Sequence, residues 1–296
     1  VLQPLDPAVF PTEGVESDFF PIVSAIKRDG AYYGLPTAVR SLALFYNKKL
    51  LDEAGVAPPN TLDELVDVVT KTTKTDGGGN IVSEGLTMDF AGQDHQWWRE
   101  VLVRQMGGVP YDDEGNVAYD DQAGLDALKF YTGLQTEHKV GLTGFMDEGQ
   151  AAFKAGLAAM TIDGTFRLGA FKPITDFEWG VVELPANADG VRSNYASYFA
   201  NGIGSSATGE KKAAAEKFLA YISSAEAMKV WLDVVGELPA RREAALTDAN
   251  LADPIYAPFL KGLEYAHTTT FVDEAGQRQN AIDMVNRVLL ENQDPK

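Results

Sequence analysis

A chain of 296 residues, 45% of them hydrophobic, is large enough to fill two cores. Lysine and arginine number 25 against 43 aspartates and glutamates, a net charge of −18, so nucleic acid and anionic membranes would repel it at long range. Cysteine is absent, which excludes disulfides, thiolate metal sites and cysteine nucleophiles together, and no apolar run reaches the length of a membrane span.

Residues 1–32 read as loop and short helix, leading into the strand-like AYYGLP. Gly34 permits unusual backbone angles there, and Pro36 biases Leu35 towards an extended conformation. Leu42, Ala43, Leu44, Phe45 and Tyr46 form a continuous apolar run, the pattern of a strand buried on both faces. Arg40 is a lone cation entering that strand, which places it at a rim or at a site. Asn47, Lys48 and Lys49 end the strand in polar surface. Lys48 to Ala54 reads as a short helix closed by Gly55. Thr61 and Glu64 then form a capping box for a helix whose buried stripe is Leu62, Leu65, Val66 and Val69. KTDGGGN is a polar turn, since no Lys-Ser or Lys-Thr follows its glycines as a phosphate loop requires.

Ile81 to Phe90 has strand character. In the following AGQDHQWWREVLVRQMGG, Trp97, Trp98, Leu102 and Met106 recur at spacings near four and can face a core. Just before them Gln93, Asp94, His95 and Gln96 stand beside an indole pair. Amide, carboxylate and imidazole groups next to a flat apolar face suit a ligand with hydroxyls on its edge and C–H groups on its face. YDDEGNVAYDD lacks the alternating ligands and the distal glutamate of a calcium loop and reads as a hairpin turn. An apolar stripe of Leu125, Leu128, Tyr131 and Leu134 marks the next helix, Ala123 to Leu134. A short helix from Glu148 to Ala155 precedes the apolar strand LAAMTI, which delivers Asp163, Gly164, Thr165 and Phe166 at its end, where open α/β sheets place ligands. GIGSSATGEKK carries Glu210 where a nucleotide loop needs lysine, so it is not one. Helices follow over Lys211 to Ile222 and Ala225 to Val235, the latter capped by Ser224 and closed by Gly236, then near Pro254 to Tyr265 and over Gln277 to Leu290.

The phrases GLP, LALFYN and KKLLDEAGVAPPNTLDEL, then FMDEGQAAFKAGLAAMTIDGTFRL, FEWGVVELPA and GELPARREA, recur in one order along the whole chain. In this the sequence resembles the extracellular solute-binding proteins of sugar-importing ABC transporters, the group typified by maltose-binding protein. The resemblance implies an α/β, two-lobed periplasmic-binding-protein-like fold of the class II type, with a ligand cleft between lobes that close on the ligand. It also implies a location outside the cytoplasmic membrane. VLQPLDPAVF corresponds to a phrase well inside the first lobe of such proteins, so the N-terminal lobe is expected to be incomplete in this sequence. The signal region and any lipid-bearing cysteine are not in it, and the usual final helix is also lacking. The expected lobes are 1–37 with 198–250, and 38–197 with 251–296.

On the same resemblance Phe166 takes the position of an aromatic that stacks on sugar. SNYASYFANGIGSSA looks like the second crossing between lobes, with Tyr195 and Tyr198 near the cleft, and Arg278 lies where some relatives approach ligand. The implied ligand-binding set is Arg40, Gln93, Asp94, His95, Trp97, Trp98, Asp163, Gly164, Phe166, Tyr195, Tyr198 and Arg278. The implied partners are a carbohydrate and the membrane permease subunits of an ABC transporter, with no nucleic acid, no cofactor, no metal and a monomeric protein. Arg241 and Arg242 read as solvated charges or rim contacts. An enzyme is the competing class: Asp94 and Asp163 could act on a glycosidic bond if suitably spaced. His95, His138 and His267 fall on separate elements with no metal-ligand spacing, and no GxSxG or HExxH is present. Arg40 raises a narrower alternative, an anionic sugar or sugar phosphate, against the neutral sugar that arginine also binds.

Overall fold

The apolar run after Arg40 is the second half of a 13-residue strand, β1 (Leu35–Asn47), longer than the run itself because Leu35 to Ser41 are extended as well. In this computed structural model, which describes residues 1–112, 114–146, 149–269 and 272–295, the chain forms two compact units. One comprises Val1–Ser41 and Ala196–Thr268, the other Leu42–Tyr195 and Thr269–Lys296. Residues 251–268, expected with 38–197, group instead with the first unit. The reason is local: the helix Ala257–Leu263 buries Phe259, Leu260 and Leu263, and the Ser41 hydroxyl donates to the Phe259 carbonyl at 3.1 Å.

The larger unit is built on Leu42 to Asn47 of β1. Asn47 is not polar surface: it is buried and caps α1 (Lys48–Ala54), its Oδ1 accepting from the Leu50 amide at 3.3 Å, and Gly55 closes that helix at φ 67°. In α2 (Leu62–Thr72) the Thr61 hydroxyl accepts from the Glu64 amide at 3.2 Å, while Glu64 reaches the amide of Asn60 and not that of Thr61. The buried stripe uses Val68 and Thr72, with Val66 only half-buried. The strand β2 (Ile81–Leu86) is shorter than expected and ends before Phe90. Gly85 in it is a packing requirement, since a Cβ there would lie 2.0 Å from the Val69 carbonyl oxygen of α2.

After β2 come α3 (Gln93–Gln105) and α4 (Gln122–Thr136), the latter with Gly124, Ala127, Leu128, Tyr131 and Leu134 inward and Leu125 only half-buried. Glu148 of the next expected helix lies outside the described residues; the observed helix is Gly149–Lys154. The fully buried β3 (Ala158–Gly164) returns parallel to β2, with Glu84 opposite Ala158 and Leu86 opposite Met160. A parallel pair requires such a helical crossover. β3 also pairs antiparallel with β1, Leu42 opposite Gly164 and Tyr46 opposite Met160, and β4 (Trp179–Val182) pairs with the same end of β1. The chain leaves this unit within β5 (Asn194–Asn201) and re-enters it before α5 (Glu274–Leu289), which starts three residues earlier than Gln277.

In the smaller unit Leu35 to Ser41 of β1 pairs antiparallel with Ala196 to Asn201 of β5, and Leu238–Pro239 pairs with β1. Residues 27–32, expected as loop and short helix, form a hairpin of Lys27–Arg28 with Ala31–Tyr32. Its turn residues Asp29 (φ 51°) and Gly30 (φ 80°) are both left-handed, the geometry that Asp-Gly favours. Arg241 and Arg242 are not free rim charges: Arg241 binds Asp18 at 2.7 Å and lies over Phe19, and Arg242 pairs with Glu264 and lies over Phe20. The helices Gly209–Ile222 and Ala225–Val235 leave Phe218, Tyr221, Val230, Val234 and Val235 exposed.

Trp98 is fully buried in the larger unit, edge-on to Tyr131. Trp98→Ala should lower the unfolding free energy by about 3–5 kcal/mol, read as a drop in urea midpoint. A change below about 1 kcal/mol would show that α3 does not pack as described.

Candidate ligand-binding site

The group that could hold a ligand lies in the larger unit, where the end of β3 and the first turns of α3 present acidic and aromatic side chains. Asp94 occupies the first turn of α3, which favours a carboxylate there. Asp163, 2% exposed at the end of β3, accepts from its neighbour's amide, Gly164 N, at 2.7 Å and from Arg167 Nε at 2.8 Å. Burial first, then the nearby Asp94 charge, pushes the Asp163 carboxyl up to about 8, and burial pushes Asp94 up to about 6. Two carboxyls so placed retain a proton at neutral pH and present both a donor and acceptors.

The aromatic part is a ring stack with an edge contact. Trp97 and Tyr195 are parallel, centroids 4.7 Å apart at 12°, and Phe166 meets Trp97 edge-on at 6.2 Å and 81°. Trp97 and Tyr195 are buried, whereas Phe166 is only partly so. The accessible ring is therefore Phe166, backed by the stacked pair. Gly164 makes this possible: a Cβ on it would stand 2.1 Å from Phe166 Cε1. Gln93 is exposed at the start of α3, and Arg278 on α5 donates to the Ala91 carbonyl at 2.7 Å, holding the loop that precedes it.

Two expected site residues are corrected by burial. His95 is 0% exposed, its Nδ1 is 2.8 Å from the Tyr131 hydroxyl, and burial pushes its ring down to about 3, so it is neutral. Trp98 packs edge-on against both His95 and Tyr131. Both belong to the core side of α3, because residues 95 and 98 sit one turn apart on the face opposite Trp97's surroundings. The remaining two expected residues lie in the smaller unit. Arg40 is bound by Glu237, with Nε at 2.8 Å, and lies 5.0 Å from the Phe199 ring; the Tyr198 hydroxyl donates to the Ile22 carbonyl at 3.2 Å. Arg167 and Glu237 escaped the sequence reading. The four-residue spacing from Asp163 to Arg167 was the available signal for the first; nothing local marks the second.

Among the described residues no group of three metal-ligating side chains converges, and no helix is long and apolar enough to cross a membrane. Asp112 closes its own turn by accepting from the Asn116 amide at 2.8 Å; Asp113 of that hairpin lies outside the described residues.

The folded-state values of Asp163, Glu84 and Glu100, the last two pushed up to about 7 by burial, lie above the roughly 4 of unfolded carboxyls. Above about pH 6.5 unfolded His95 sheds its remaining charge, an opposing change from one group, whereas three carboxyls hold protons in the folded chain alone, so stability falls as pH rises to about 8. Urea midpoints should decline over that window, and Asp163→Asn should flatten the decline. A midpoint that rises from pH 6.5 to 8 contradicts the protonated pair.

Residues 2–258 match the sequence pattern of the bacterial extracellular solute-binding proteins. A maltotriose-binding protein of Pyrococcus abyssi is 25% identical over 283 residues, covering 90% of this chain and 56% of that protein. The chain spans little more than half the length of the curated relatives it matches. Among solved structures, the cyclic alpha-maltosyl-1,6-maltose binding protein of Arthrobacter globiformis superposes with a TM-score of 0.84 at 21% identity, covering 99% of this chain and 76% of that one. UgpB from Mycobacterium tuberculosis, solved with glycerophosphocholine, superposes with a TM-score of 0.81 at 19% identity, covering all of this chain and 75% of that one. The chain belongs to the bacterial extracellular solute-binding protein family.

Proposed function

We propose that the protein is the substrate-binding component of an ABC importer for a neutral mono- or oligosaccharide, delivered to membrane permease subunits. The observation that carries this reading is the partly exposed Phe166 ring, edge-on to Trp97 and three residues beyond Asp163 at the end of β3, with the half-buried Asp94 close to that carboxyl. Maltotriose and maltosyl-maltose as the ligands named for two relatives support a carbohydrate. UgpB's phosphodiester ligand does not transfer easily, because Arg167 is already engaged by Asp163 and Arg40 by Glu237, and Asp94 adds further negative charge. The ligand set within the larger unit is Gln93, Asp94, Asp163, Gly164 and Phe166, with Trp97 and Tyr195 holding the ring and Arg278 holding the loop. Arg40 and Tyr198 belong to the smaller unit, where Glu237 and the Ile22 carbonyl engage them.

Removing one stacked ring face of roughly 50–100 Å² should cost about 1–2.5 kcal/mol. Calorimetry against maltotriose, other neutral oligosaccharides, uronates and glycerophosphocholine should give binding to one neutral sugar class, weakened about 5- to 70-fold by Phe166→Ala. Binding of the phosphodiester alone, or of no sugar by the folded protein, overturns the assignment.

A further inference from the structure

Between Asp163 and Phe166 stands a third side chain, that of Arg167. A single helical turn, Thr165–Arg167, follows β3 and returns Arg167 to the strand end, where its Nε donates to Asp163 Oδ2 at 2.8 Å. Its Cζ also lies over the Phe166 ring, 5.4 Å from the centroid. The guanidinium therefore joins the buried carboxyl to the partly exposed ring, and all three belong to the larger unit.

Exposure decides which of these polar groups a ligand can reach. The Asp163 side chain is 3% exposed, and both its oxygens are taken, Oδ1 by the Gly164 amide and Oδ2 by Arg167. The Arg167 side chain is 31% exposed. A guanidinium carries five N–H donors in a planar fork, and among the described residues only Nε has an acceptor. Nη1 and Nη2 are left to donate beside the Phe166 ring. Two neighbouring oxygens of one ligand can accept from such a fork together, as carboxylate oxygens do and as adjacent hydroxyls can.

Charge selects between those two acceptors. Asp94 and Asp163 keep one proton between them at neutral pH, and so one negative charge, which Arg167 balances. An anionic ligand would bring a second negative charge to the same place, whereas hydroxyls leave the balance as it is. From this geometry we infer that Arg167 is a ligand-binding residue whose free Nη groups donate to adjacent hydroxyls of a neutral sugar lying against Phe166, and that Asp163 serves the site by holding that guanidinium in place. The inference rests on the sugar reading and adds to it a residue that touches ligand.

The test is calorimetry of the whole chain with maltotriose and other neutral oligosaccharides, on the wild type, Arg167→Gln, Arg167→Lys, Asp163→Asn and the double variant. Arg167→Gln removes the fork and should weaken the bound sugar about tenfold or more. Arg167→Lys keeps the charge but offers a single ammonium point, and should weaken it about threefold or more. Asp163→Asn should cost less than Arg167→Gln and nothing further when added to it, because its effect passes through the guanidinium. Should Arg167→Gln unfold, Arg167→Lys decides alone. If Phe166→Ala weakens the sugar while the folded Arg167 variants bind it within about twofold of wild type, the role of Arg167 is overturned and the sugar reading stands. Full, additive losses from Asp163→Asn and Arg167→Gln would make Asp163 a contact in its own right and overturn the division of roles. If the folded wild type binds no neutral sugar, both readings fall together.

Discussion

The larger unit depends on burying α3 on every side. Ten of its 13 residues are buried, among them a histidine, an arginine, a glutamate and two glutamines. A helix surrounded in this way has no face on which polar groups meet water, so each must find a partner inside or alter its ionisation. His95 does both, taking the Tyr131 hydroxyl and staying neutral; Gln105 donates to the Pro185 carbonyl at 2.7 Å. The cost is met by the apolar contacts of Trp98, Val101 and Leu102 with strands and helices that enclose the same element. The strand β3, the helices α4 and α5 and the ring of Tyr195 all pack against that helix.

This arrangement explains which parts of the architecture could be read from residues alone. The helix α2 was legible because its cap, its acidic first turn and its stripe are local signals that agree. The strand within LAAMTI was legible because Ala158 to Ile162 are all buried and the one polar residue among them, Thr161, shares a hydrogen bond with Thr87 at 2.7 Å. The hairpin at Lys27 to Tyr32 is equally local, announced by Asp29-Gly30, but strands of two residues each are too short to show an alternating pattern. Asn47 was misread for a different reason: polarity suggests surface, whereas a buried side chain can spend its polar atoms on a helix terminus.

The candidate site was less legible than the fold. An amphipathic pattern separates inside from outside, but a helix buried all round gives no such pattern. Adjacent Trp97 and Trp98 therefore look equivalent in sequence although they point to different surroundings, one to Tyr195 and Phe166, the other to His95 and Tyr131. Arg40 looked like an unattached cation because its partner Glu237 is 197 residues away. Long-range pairing of this kind decides whether a charge is available to a ligand, and no local rule reports it.

The missing side chain at Gly164 has a further consequence. The Phe166 ring fills that space and leans on the Trp97 edge, so its torsions are settled when the chain folds and not when a ligand arrives. A ring already in place loses little rotamer freedom on association, so more of the contact free energy appears as affinity. A bulkier residue at 164 would displace the ring without touching the ligand, and selectivity could drift through a position that makes no contact of its own.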